Sequence, residues 1–380
     1  MKRLLCSTVL LLASACAPAV APVPARPQPS PERAYDAWVT SEAADQVSLI
    51  RFEGDSARVV EERTVGSIPV EIDGPHAVAL DPSGEFIYVT LGHGVPFGWL
   101  LKIEAESGEV VGRAALGYFP ATVAVTPDGE YGFVSNFNLH GDPVPSSISK
   151  VHLGSMVEVA RTETCVMPHG SRVNPSGTRH YSVCMMDELL IEIDTGTGEI
   201  LRRFSLNRGA EGPRGHAAHT DAVAMDHSAM TELGCSPTWA EPSADGSSVF
   251  VTCNRAREVL EIDAQSWAVR RRFRTGENPY NIAVSPDGRQ LLVSLRNRTD
   301  PALEVFELSS GRMLGRVATS TTLVHGIAVT PDSRYAFVTS EGVGSEPGRV
   351  DVVNLSTLQR VATAAVAQQA TGVAVVPRSQ

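Results

Sequence analysis

Past its first dozen residues the chain has no apolar run approaching the roughly 20 residues needed to cross a bilayer. It also lacks any segment of helical period, which argues against a helical or α/β core. Basic charge is scarce: 32 Lys and Arg stand against 43 Asp and Glu, a formal net charge of -11. Phosphate binding needs a concentrated basic face, so a nucleic-acid partner is disfavoured. The one basic cluster, VRRRFRTG at 269–276, reads as a strand that charges an exposed sheet edge. There is no G-x-x-x-x-G-K, G-x-S-x-G, H-E-x-x-H or C-x-x-C. Nucleotide-driven, serine-hydrolase, zincin and thioredoxin-type chemistries therefore lose support.

What is present begins with MKRLLCSTVLLLASAC: a basic start at Lys2 and Arg3, an apolar run from Leu4 to Leu12, and small residues before Cys16. This pattern predicts a secretory signal over 1–15. A cysteine directly after Ala-Ser-Ala resembles the lipobox of bacterial lipoproteins, which implies lipidation of Cys16; ordinary cleavage after Ala15 is the alternative. Residues 16–35 then form a Pro/Ala-rich linker, too rich in proline to pack. Loss of residues 1–15 removes two positive charges, taking the net charge from -11 to about -13. The expected location is the periplasm or outer membrane, with the membrane reached only through the anchor.

The remaining chain, 36–377, repeats. Turn signals recur as DPSG at 81, PDG at 127, NPSG at 174, SADG at 243, PDG at 286 and PDS at 331. The gaps are in the mid-forties except between 174 and 243, which is longer by some two dozen residues. Each turn follows an apolar run such as HAVALDP or GIAVTP and precedes another such as FIYVTLG or YAFVTSE, as in a β-hairpin. Third and fourth strands follow, so the unit has four short strands, the pattern of a propeller blade. The start at AWVTSEAADQVSLIRF lacks a first strand, and the end at TGVAVVP supplies one. The expected fold is an all-β, seven-bladed β-propeller of four-stranded antiparallel blades, closed by the C-terminal strand joining the N-terminal blade, with a loop insertion at 206–237.

The strands YVTL (88–91), FVSN (133–136), FVTCN (250–254), FVTS (337–340), IEID (191–194) and LEID (260–263) resemble the YVTN-type β-propeller repeat family. The resemblance spans nearly everything after about residue 36 and implies a fold rather than a function, because such rings serve as binding scaffolds, surface proteins, lactonases and metal enzymes.

Four cysteines remain after Cys6 and Cys16: Cys165, Cys184, Cys235 and Cys253. In an exported domain they predict disulfides, with three connectivities open. Their places in the repeat favour Cys165 with Cys184 and Cys235 with Cys253, although folding about NPSG sets His169, not Cys165, opposite Cys184. A soft-metal site using these thiols is the alternative.

His76, His169 and His325 each stand six residues before Pro82, Pro175 and Pro331, at the start of an innermost strand. Equivalent places in a ring converge on one mouth of the channel, where three imidazoles suit copper or zinc with a position left open. The alternative is three rings that each bond backbone and never meet. Other units carry Ala121, Tyr280 and Thr371 at this place. The insertion adds His216, His219, Asp221 and His227, and its glycines suit a binding loop. Met167, Met185 and Met186 are further soft donors or core fillers.

Two functions follow. The leading expectation is a monomeric, lipid-anchored scaffold binding a small molecule, a metal or a protein through His76, His169, His325, His216, His219 and Asp221. The alternative is a copper or zinc enzyme with the three histidines as ligands and Asp221 or His219 as the group that moves the proton.

Overall fold

The computed structural model describes residues 34–67, 70–93, 97–215 and 234–377. The expected signal at 1–15, Cys16, most of the linker, and His216, His219, Asp221 and His227 lie outside the described residues. Among the described residues no helix is long and apolar enough to cross a membrane.

Antiparallel strands of about six residues follow one another round a ring. Among the described residues five sheets have four strands each, and the sixth has nine. The expectation of seven separate four-stranded blades is thus met in part. The nine-stranded sheet arises because the innermost strands Pro168–Val173 and Pro237–Pro242 come close enough for one parallel bridge, Gly170 to Trp239. A short strand, Gly212–Arg214, also adds to its outer edge. Gly170 permits the approach, since a Cβ there would lie 2.5 Å from the Thr238 carbonyl oxygen and from Trp239 Cα. The ring closes as expected: Tyr35–Ser41 pairs with Ala370–Val375, with Trp38 opposite Ala374.

The recurring turns are the tight hairpins that the sequence predicts. Gly84, Gly129, Gly177, Gly246 and Gly288 each donate to the carbonyl three residues back, and Ser333 does so in the sixth hairpin. Apolar side chains from successive strand groups meet between the sheets, and among the described residues seven such clusters follow one another round the ring. Phe52, Phe133, Phe204, Phe250, Phe273, Phe306 and Phe337 are buried there, each contributing about 1.5–3 kcal/mol.

Cationic side chains add a second link between neighbours. Arg63 donates to the carbonyls of Glu104 and Ala105, Lys102 to Leu153, Lys150 to Gly196, Arg202 to Ala264, and Arg271 to Leu308. Each long side chain crosses to a turn of the next strand group, and Arg202 also covers the Trp267 ring at 4.1 Å. The basic cluster at 269–276 lies on an outer strand, where Arg270, Arg271 and Arg272 pair with Asp263, Glu261 and Glu258.

Both favoured disulfides form: Cys165–Cys184 and Cys235–Cys253, with Cα separations of 5.8 and 4.4 Å. A thiol metal site is thereby excluded for these four residues. The residue opposite Cys184 is Pro168, not the expected His169, because an irregularity between His169 and Ser171 shifts the register. That shift brings the preceding Cys165 within reach.

Candidate functional site

The second residue of each innermost strand stands at one level of the channel: His76, Ala121, His169, Thr238, Tyr280, His325 and Thr371. The residue just past each following strand forms an outer circle: Glu42, Gly92, Phe137, Met185, Asn254, Arg296 and Glu341. One backbone bond ties the circles together seven times over. The N–H of each outer residue donates to the residue that precedes an innermost strand, namely Gln369, Gly74, Phe119, Met167, Ser236, Asn278 and Leu323. All seven acceptors are left-handed, with φ of 48° to 63°. Six of them carry a Cβ and hold this costly conformation all the same.

The three predicted histidines do come together. The His76 ring lies 5.2 Å from His325 and 6.5 Å from His169, centroid to centroid. Tyr280 stands between the other two, 5.7 Å from His169 and 4.9 Å from His325. His169 Nδ1–H donates to the Thr238 carbonyl at 2.8 Å, which leaves Nε2 as an acceptor for the Tyr280 hydroxyl at 3.4 Å. Burial pushes His169 down to about 3 and His325 well below the ordinary imidazole value, so both are neutral. Nδ1 of His325 is buried with no hydrogen-bond partner.

The fold thus brings the three expected imidazoles to one place. Among the described residues no three His, Cys, Asp or Glu side chains are grouped to hold a metal ion. His169 has both ring nitrogens in contact with partners, and His76 Nδ1 lies on a carboxylate.

That carboxylate, Glu42, escaped the sequence reading. It accepts from His76 Nδ1 and from His93 Nε2, both at 2.7 Å. Burial alone would raise the Glu42 carboxyl, but the two imidazoles, His76 above all, hold it well below the usual range. His93 is pushed up by its hydrogen bond to Glu42 and, against burial, by the charges of Glu42 and Asp45. Across the mouth Arg296 makes a two-pronged pair with Glu341 at 2.8 and 2.9 Å, its guanidinium 5.4 Å from the Tyr280 ring. A signal did exist, since the same string, VTSE, ends at Glu42 and at Glu341.

Next to the histidines lies a cavity of about 40 Å³, room for a few waters, with His76, His325, Arg172 and Trp239 among its walls. Arg172 pairs with Glu241 at 3.1 Å and lies over Trp239 at 4.9 Å. Burial lifts the Glu241 carboxyl to about 7 against the pull of Arg172. Beside the histidine mouth lies a pocket of about 650 Å³ walled by His93, Tyr118, Phe119, Asn138, His140 and Asp142. Phe119 is the common wall, 5.4 Å from His76, 5.0 Å from His93 and 5.5 Å from His140. The volume lies within the range of small-molecule sites.

The fold and this mouth define a β-propeller. No family model matches the chain, and no curated protein is found similar to it. Solved structures are similar. A functionally unknown protein from Desulfotomaculum acetoxidans matches with a TM-score of 0.69 and 15% identity, over 90% of this chain and 99% of that one. Kuenenia stuttgartiensis hydrazine synthase matches with a TM-score of 0.59 and 20% identity, over 77% and 79%. At these identities the likeness is one of fold.

Proposed function

We propose that this protein is an exported β-propeller scaffold, lipid-anchored through Cys16 in the bacterial cell envelope, that binds a small organic molecule at the histidine mouth. The two disulfides support an oxidising compartment, and the signal-like start supports export. The nine-stranded sheet reads as two neighbouring blades joined by one bridge, giving seven in all; the sevenfold loop bond and the seven interblade clusters support this count. The strands YVTL, FVSN, FVTS and IEID support placement with the YVTN-type repeats.

The observation that carries the binding reading is the 650 Å³ pocket whose wall, Phe119, also touches His76. A ligand in this pocket would lie against Phe119, whose ring also touches His76 and His93. The test is thermal unfolding against a panel of small aromatic and polar compounds. Hits should raise Tm by a few degrees at saturation. The gain should vanish in His140→Ala, on the pocket wall, and persist in His152→Ala, whose imidazole bonds Ser155 away from it. Equal shifts in both variants, or no hit at all, would contradict the reading.

A further inference from the structure

The pocket beside the mouth has a chemistry of its own, and the class of ligand it selects depends on its being the ligand site. Its walls combine aromatic faces with negative charge. Phe119 is buried, and Tyr118 is 55% exposed with its ring 5.6 Å from that of Phe97, itself exposed at the rim. Among the described residues no Lys or Arg lines the pocket, and the one permanently charged lining residue is Asp142, which is exposed.

Carboxylates also stand behind the wall. Glu42 accepts from His93 Nε2 at 2.7 Å. Asp45 lies close enough to act on His93 along with Glu42. The field at the pocket is therefore negative, in a chain whose formal net charge is -11. His93 and His140 complete this wall, with rings 5.3 Å apart.

Aromatic faces attract a cation electrostatically, a carboxylate at the rim adds to the attraction, and no fixed cation opposes it. We infer that the pocket formed by His93, Tyr118, Phe119, His140 and Asp142 takes an organic cation, an amine or quaternary ammonium group carried on an apolar body.

Isothermal titration of the intact protein at pH 8 with benzyltrimethylammonium and with benzoate tests this, because the two share a ring and differ in charge. The cation should bind at least ~10-fold tighter than benzoate. Two exposed positions make variants that leave the fold alone. Tyr118→Ala should weaken the cation about 5-fold, and Asp142→Lys should reverse the preference. Benzoate binding as tightly as the cation would overturn the inference while leaving the pocket as a ligand site. Failure of both probes overturns it too, and silence of the compound panel as well would take the ligand-site reading with it. Cation binding that survives both variants unchanged would place the site elsewhere and equally overturn it.

Discussion

The carboxylate of Glu42 and the imidazole of His76, 34 residues apart in sequence, meet at 2.7 Å in the channel mouth, and the second oxygen of Glu42 holds His93 at the same distance. One buried acid thus orients two imidazoles, one facing the channel and one facing the pocket. A carboxylate in this position fixes the tautomer of each ring, as it does for metal-bound and catalytic histidines.

Replacing that acid tests how much the arrangement contributes. Glu42 has a depressed carboxyl pKa, so its contribution is present above the unfolded value near 4.3 and fades as pH falls. His93 has a raised pKa, so its contribution is complete below about 6.5 and fades as pH rises through its folded value. Both operate together near pH 5.5. Glu42→Gln should lose about 2–3 kcal/mol there and less at pH 8.5, measured by urea unfolding. A loss independent of pH would show that the ion pairing does not stabilise the fold.

His180 points the opposite way. Both ring nitrogens are buried without a partner, the ring stacks on Phe133 at 5.0 Å, and burial pushes the imidazole down to about 3. The unfolded chain takes up this proton first, so stability falls as pH drops below about 6.5. The loss reaches about 2 kcal/mol at pH 5, since each pKa unit is worth roughly 1.4 kcal/mol. His180→Phe should remove that acid-sensitive component and flatten the stability profile between pH 5 and 7 by the same amount. An unchanged profile would mean that His180 is hydrogen-bonded or hydrated.

Gly170 allows the contact that joins two strand groups into one sheet. Gly170→Ala would force a Cβ to within 2.5 Å of the Thr238 carbonyl oxygen, which receives the His169 proton. The expected cost is about 1–3 kcal/mol, with a shifted His169 signal in proton NMR. A neutral effect on both would show that the two innermost strands can separate freely.

The disulfides close loops with sequence separations of 19 and 18 residues. Replacing either pair by serine should cost about 3 kcal/mol in the chain-entropy account, read as a lower denaturation midpoint. Little or no cost for one pair would show that the entry loop is held by other contacts, such as Asp187 accepting from the Val166 N–H.

Much of this fold was legible because a propeller is a repeat. The turns at 81, 127, 174, 243, 286 and 331 gave the hairpins, and matching them put His76, His169 and His325 at one level of the ring. The same match held Tyr280, yet its role was not visible there. A residue's partner across a ring depends on radius and side-chain length, which spacing along the chain does not contain. Glu42, Arg296 and Glu341 share a repeat position, but their pairings cross from one repeat unit to the next. Counting histidines likewise could not reveal that Tyr280 bonds His169 Nε2 or that Glu42 bonds His76 Nδ1. His216, His219 and Asp221 lie outside the described residues.

The most direct test of the central claim is ¹⁵N NMR of the histidine side chains during titration with benzyltrimethylammonium and, separately, benzoate. If the mouth and its pocket are the ligand site, signals of His93, His140 and His76 move on adding ligand, while those of His152 and His180 stay in place. Movement confined to His152 or His180, or no movement with either probe, would contradict it.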